Sequence, residues 1–313
     1  MAAKENENGV KGFQFRKHVE RTRWESFYTA IYNPSTKEFL GRTGKSWGQL
    51  LLFYSIFYII LAALFAICMQ GLLATLDDRE PKWKLERSLI GTNPGLGFRP
   101  ISNKTEEGSL IWYNHKNDTS KHKWVQLIDE FLTPYMQEQN GKNFEICDFN
   151  KPANASKVCV VNLKDFLDCS RSKFYGYNST SPCIFLKLNK IFGWEPKYFT
   201  NSTSEMREYS TEFADAVDAE PGSYIWISCQ GEKPVDRENV VGFNYFPKQG
   251  FASYYFPYTN TQNYLSPLVA VQIVNPTPNL IVSIECRAWA KNIIYQGGDL
   301  QREGSVHFEI LLD

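Results

Sequence analysis

Most marks of an enzyme are missing from this sequence. Of the four histidines, His18, His115, His122 and His307, none forms H-E-x-x-H or another metal-ligand spacing. There is no P-loop and no G-x-G-x-x-G, which excludes the usual phosphate cradles. No C-x₂₋₄-C pair occurs, which excludes the usual structural zinc sites. The 34 basic residues balance 34 acidic ones without a basic stripe, so nucleic acid is not an expected partner. No catalytic residue, metal or cofactor is nominated.

The most informative absence is local. From Ser46 to Leu76 there is no charged residue, between Lys45 and Asp77. A charge near mid-bilayer costs about 2.5–3.5 kcal/mol on the insertion scale, so a charge-free apolar run of this length points to lipid. At about 20 residues per crossing it suffices for one tilted helix and is too short for two. A buried soluble helix is rarely this long without a charge. A signal peptide would begin nearer the N-terminus and end at a small-residue cleavage site. The expected reading is a retained signal anchor that crosses once.

Orientation does not follow from local charge. Lys37, Arg42 and Lys45 precede the run, and Arg79, Lys82, Lys84 and Arg87 follow it. Cysteines and glycosylation sequons are more decisive. Cys68 lies within the run, whereas Cys147, Cys159, Cys169, Cys183, Cys229 and Cys286 all lie beyond it. An even set on one side suits an oxidising compartment and three disulfides, for which sequence alone allows fifteen pairings. The acceptable sequons, at Asn103, Asn117, Asn154, Asn178 and Asn201, lie on the same side. The N-terminus is therefore expected to be cytoplasmic and the C-terminal domain extracellular: a type II glycoprotein of the plasma membrane. Many lumenal glycosyltransferases share that topology, but they commonly carry Asp-x-Asp, which this chain lacks.

The expected layout is a cytoplasmic tail (1–45), a transmembrane region (46–76), an extracellular connector (77–122) and a disulfide-bonded, glycosylated ectodomain (123–313). The first dozen residues are polar and read as disordered. Trp24, Phe27, Tyr28, Ile31 and Tyr32 form an aromatic cluster, either a lipid-surface anchor or a docking segment. On the membrane helix, Tyr54, Tyr58, Leu61 and Phe65 share one face, and Ala62 and Ala66 have small-x₃-small spacing on an adjoining one. Two tyrosines deep in lipid need hydroxyl partners or a route to the interface, which favours packing against another helix.

Asn93–Gly97 is turn-rich, and the connector is expected to hold little regular structure. Residues 124–131 predict one short amphipathic helix ended by Pro134, with a second candidate at 163–167. The last third predicts half-buried strands at 224–229, 268–274, 280–288 and near 306–311. Cys229 and Cys286 fall on inward faces, so a bridge between them across two sheets is geometrically natural.

Several segments then carry a resemblance. Tyr32-Asn33, Leu40-Gly41-Arg42-Thr43 and Trp47 are one; Leu52 to Tyr58 is another. Tyr175-Gly176-Tyr177, Pro182-Cys183-Ile184 and Leu186 to Ile191 are a third, and Leu265 to Gln272 with Ile284 to Ala288 the last. Together they resemble the β subunit of sodium/potassium-transporting P-type ATPases, with the similar proton/potassium pump β subunit as the near alternative. The resemblance runs from about residue 24 onward.

It implies an immunoglobulin-like β-sandwich ectodomain with inserted short helices and loops. It also implies disulfides in sequence order: Cys147–Cys159, Cys169–Cys183 and Cys229–Cys286. The implied function is non-catalytic: helping a catalytic α subunit to fold, leave the endoplasmic reticulum and stay stable in the membrane, and tuning potassium affinity. The implied partners are that α subunit, as a heterodimer, an optional small single-span regulatory subunit, and membrane lipid. The membrane contact falls on Tyr54, Phe57 and Tyr58, to which helical spacing adds Ala62 and Phe65.

Two departures stand out. Arg171 occupies the place after Cys169-Ser170 where the family usually has glycine. Ile59-Ile60 stands where some members carry a cysteine, so redox regulation at that position is not implied. A cell-adhesion glycoprotein is the alternative from another class, with a lumenal enzyme behind it.

Overall fold

The structure is a computed structural model that describes residues 22–34, 36–89, 91–152, 157–298 and 302–313. The expected disorder of the first dozen residues, and the sequon at Asn154, lie outside the described residues. The chain forms two compact units, 1–76 and 77–313.

The first unit begins with helix α1 (Arg23–Ile31) and a small antiparallel sheet of β1 (Tyr32–Asn33), β2 (Glu38–Phe39) and β3 (Arg42–Thr43). Leu40 and Gly41, the two residues between β2 and β3, both have positive φ, at 50° and 75°. A two-residue hairpin of the I′ kind requires this, and glycine meets the demand without a steric cost. The Leu-Gly-Arg-Thr signature is thus a hairpin turn. Helix α2 (Gly44–Leu73) follows directly. The Trp47 indole N–H donates to the Phe39 carbonyl at 2.8 Å, tying the hairpin to the first turn of α2.

The second unit is a β-sandwich. Its elements, in chain order, are β4 (Leu96–Arg99), β5 (Leu110–Tyr113), α3 (Asp118–Met136), β6 (Phe144–Glu145), β7 (Val158–Cys159), β8 (Cys183–Leu188), α4 (Ser204–Tyr209) and α5 (Thr211–Ala219). Then come β9 (Tyr224–Gly231), α6 (Pro234–Glu238), β10 (Gly242–Phe246), β11 (Gly250–Ala252), β12 (Leu268–Val274), β13 (Ile281–Trp289) and β14 (Ser305–Leu312). One sheet runs β10-β12-β8-β4 and the other β11-β9-β13-β14-β5, antiparallel except for the parallel β14–β5 pair. Ile184, Leu186, Val271, Ile225, Ile284 and Phe308 are among the side chains that fill the space between them.

Four expectations change. First, β4 and β5 come from the segment read as an unstructured connector. Four-residue strands carry too little pattern to be seen, and their neighbours β8 and β14 supply the pairing. Second, the helix expected at 124–131 starts at Asp118 and runs through Pro134 to Met136. Its N-cap is Asn117, whose side-chain oxygen accepts from Thr119 N–H at 3.0 Å. Proline in a last turn removes one hydrogen bond at an end that frays, so it does not stop the helix where it stands.

Third, the central strands are not half-buried. Outward-facing Tyr224, Trp226 and Trp289 lie under Met206, Phe213 and Val217 of α4 and α5. Outward-facing Phe185 meets Phe166 and Tyr175 edge-on, at 5.6 and 5.7 Å between ring centroids. Strands covered on both faces lose the alternation that a one-sided strand shows. Fourth, Cys229 and Cys286 are bridged, but as directly opposite residues on adjacent strands β9 and β13 of one sheet, with Cα atoms 4.0 Å apart. Both side chains do point inward. Alternation reports the face, not which strand is the neighbour.

Candidate functional site

No cluster of three or more histidine, cysteine or acidic side chains able to hold a metal occurs among the described residues. Gly44-Lys45-Ser46-Trp47-Gly48 has the letters of a serine-hydrolase elbow. Ser46, however, sits within the regular first turn of α2, not on a strained strand-to-helix turn, and residues 22–76 contain no histidine to serve as its base. The candidate functional features are therefore an outward membrane surface and a covalently braced sandwich.

Helix α2 is one unbroken helix of 30 residues, about 45 Å long at 1.5 Å per residue. That exceeds a hydrocarbon core of about 30 Å and permits a tilt. It is long and apolar enough to cross a membrane, and no residue of it is buried by the rest of the chain. At 100° per residue, Tyr54, Phe57, Tyr58, Ala62 and Phe65 fall within an arc of about 140°. Tyr54 stacks on Tyr58 with centroids 6.2 Å apart, and Phe53 on Phe57 at 6.4 Å. The result is an aromatic ridge that narrows at Ala62 and Ala66 to a surface a second helix can approach closely. On α1, Trp24, Phe27 and Tyr28 are exposed and touch one another at 6.2 to 6.5 Å.

Three disulfides brace the sandwich: Cys147–Cys159, Cys169–Cys183 and Cys229–Cys286. Cys147–Cys159 clips β7 to the chain just after β6, and Cys169–Cys183 ties the 3₁₀ turn at Leu163–Cys169 to the start of β8. Cys68 is free and exposed on α2. Asn103, Asn117, Asn178 and Asn201 are all exposed.

The Tyr-Gly-Tyr segment is a structural junction that spacing alone did not explain. The Tyr175 hydroxyl donates to Asp129 Oδ1 on α3 at 2.7 Å. Burial first, and the Asp129 carboxylate second, push that hydroxyl's pKa well above its ordinary value. Tyr177 is fully buried edge-on against Tyr113, with centroids 5.0 Å apart. Between them Gly176 has φ +78°, and a Cβ there would lie 2.2 Å from the Ser181 carbonyl oxygen. Arg171, the departure noted above, has an ordinary negative φ and pairs with Asp129 at 3.3 Å, so the turn accepts a side chain there.

Strand β13 explains another shared segment. Glu285 is a buried carboxylate satisfied on three sides: Arg302 donates at 2.6 Å, Ser305 at 2.9 Å and Tyr295 at 3.1 Å. Its neighbour Arg287 lies over the Trp289 ring at 3.5 Å and the Tyr295 ring at 3.9 Å. A buried charge needs such a complete shell to avoid a large desolvation cost.

A family model described as "Sodium / potassium ATPase beta chain" matches residues 17–308. The chain belongs to this family. Among similar curated proteins, sodium/potassium-transporting ATPase subunit beta-1 of Drosophila melanogaster is 50% identical over 312 residues, covering 99% of this chain and 100% of that protein. Subunit beta-2 of the same organism is 41% identical over 98% of each chain. Subunit beta-2 of Homo sapiens is 31% identical, over 93% of this chain and 94% of that protein. The chain is a non-catalytic sodium/potassium ATPase β subunit, with one candidate membrane helix among the described residues, ahead of a mostly-β, three-disulfide domain.

Proposed function

We propose that this β subunit spans the plasma membrane once, N-terminus in the cytoplasm, and assembles with the catalytic α subunit of a P-type sodium/potassium pump. On this reading 1–45 is the cytoplasmic tail, 46–76 carries the span and everything from 77 onward is extracellular. The observation that carries the assembly is helix α2: an apolar helix with no buried residue, on which Tyr54, Phe57, Tyr58, Ala62 and Phe65 share one arc. A lone anchor has no use for such a face; a helix packed against another does.

The topology is supported by the placement of three disulfides and all five sequons beyond the span. The ectodomain would cover extracellular loops of the α subunit, promote its folding and delivery, and shift its potassium affinity. Such a shift requires β contacts that differ between pump states, because only a differential contact moves an equilibrium.

The direct test is the double variant Tyr54→Ala/Tyr58→Ala. Losing two interfacial aromatics at about 0.5–1.5 kcal/mol each is expected to weaken retention of the α subunit by about tenfold in mild detergent and to shift potassium activation. Ile56→Ala/Ile60→Ala, on the opposite face of α2, is the control and is expected to leave both unchanged. Unchanged recovery and unchanged potassium activation for the tyrosine pair would contradict the proposal.

A further inference from the structure

A groove of about 670 Å³ runs between residues 102–104 and the first half of α3. Asn103, a sequon asparagine, forms part of its wall, facing Thr119, His122, Gln126 and Leu127. The lysines and Asp118 around it are already ion-paired, and Glu130, also on its wall, accepts from the Gln126 side-chain amide at 2.9 Å. Glu107 accepts an ion pair from Lys123 and a second, at 3.7 Å, from Lys104. The hydrogen bond from Lys123, and a weaker one from Ser102, hold the Glu107 carboxyl below the usual carboxylate range. Asp118 pairs with Lys121 at 2.6 Å. What remains for a ligand is the Thr119 hydroxyl, the Gln126 side-chain carbonyl and the Glu130 carboxylate as hydrogen-bonding groups, and apolar or ring surface at Leu127 and His122, whose ring rests 6.3 Å from that of Phe174.

Such a surface suits a neutral polyhydroxylated ligand, and its volume lies within the range of small-molecule sites. It suits neither an anion, which would find its lysines neutralised, nor a greasy molecule, which would leave polar groups unpaired. We infer that the groove seats the first sugars of an N-linked glycan carried by Asn103. This rests on the extracellular placement proposed above. In the lumen, the Asn103 amide nitrogen attacks C1 of a polyprenyl-diphosphate-linked oligosaccharide; the N–C1 bond forms, the diphosphate leaves with the bonding pair, and the nitrogen gives up one proton. The glycan then starts inside the groove, so seating costs little chain entropy.

Asn117 borders the same groove through Asp118 and Thr119, but its side-chain oxygen is held in the α3 N-cap. Asn178 is exposed and does not line the groove, which makes it the internal reference.

The test uses the full-length chain from a glycosylating host, in mild detergent, with a native time course of peptide-N-glycosidase digestion read site by site by glycopeptide mass spectrometry. Release from Asn103 is expected on the order of tenfold slower than from Asn178, as two or three sugar hydrogen bonds would give. The difference should vanish on denaturation. His122→Ala/Gln126→Ala, two exposed positions, should erase most of the protection without changing occupancy. Asn117→Asp, which keeps the cap and deletes that sequon, should leave the protection intact. Equal release rates at Asn103 and Asn178, protection that survives His122→Ala/Gln126→Ala, or protection lost in Asn117→Asp would each overturn the seat while leaving the topology standing. An unmodified Asn103 would overturn the modification itself.

Discussion

Replacing Cys229 and Cys286 together by alanine is expected to destabilise the sandwich by about 4 kcal/mol. The two cysteines are 57 residues apart, and on the chain-entropy model a bridge closing a loop of that size removes about 4 kcal/mol of freedom from the unfolded chain. They already face each other across hydrogen-bonded strands β9 and β13, so the bridge brings together nothing the sheet does not hold. Its effect falls on the unfolded state, where it confines the segment that supplies α6, β10, β11 and β12. The matched loss of Cys147–Cys159, only 12 residues apart, should cost about 3 kcal/mol. Urea denaturation followed by tryptophan fluorescence measures both, since Trp124, Trp194, Trp226 and Trp289 are buried. Equal midpoints for the parent and the long-loop variant would sink the argument.

Gly176→Ala is expected to cost about 3–5 kcal/mol, from backbone strain at positive φ added to a steric clash. Its Cβ would meet the Ser181 carbonyl oxygen at 2.2 Å and the Pro182 Cα at 3.3 Å. Neither is the end of a flexible side chain, so relief requires moving the entry to β8 or lifting Tyr175 and Tyr177 from the core. Phe174 and Tyr175 already sit at positive φ, both at 52°, which leaves the turn little slack. Gly222→Ala separates the two effects. It shares the left-handed backbone, at φ +72°, but nothing lies within 4 Å of a Cβ there. It should cost only the strain of a left-handed residue, about 1–2 kcal/mol. The same unfolding assay reads both, and a Gly176→Ala cost no larger than that of Gly222→Ala would refute the steric account.

The parts of this fold that could be read in advance are those where one physical rule acts alone. The membrane helix declares itself because lipid excludes charge from Ser46 to Leu76. Strands β12 and β13 show in their Val/Ile-rich or alternating runs. Strand β9 reads correctly on its inner face, but the helices that cover Tyr224 and Trp226 are invisible to a strand's own period. Strands β4 and β5 could not be read at all, because Leu96–Arg99 and Leu110–Tyr113 are extended only by virtue of their partners. Helical spacing alone places Tyr54, Tyr58 and Phe65 on one side of α2. The role of Gly176 was not legible, because the carbonyl that forbids a side chain there arrives from five residues on through a turn with no marked pattern.

The measurement closest to the central claim is recovery of the tagged full-length chain in mild detergent, with mass spectrometry of whatever accompanies it. The account predicts a P-type ATPase catalytic chain in roughly stoichiometric amount. Recovery of the chain alone, in a detergent that preserves pump complexes, would contradict it and leave the exposed face of α2 without its partner.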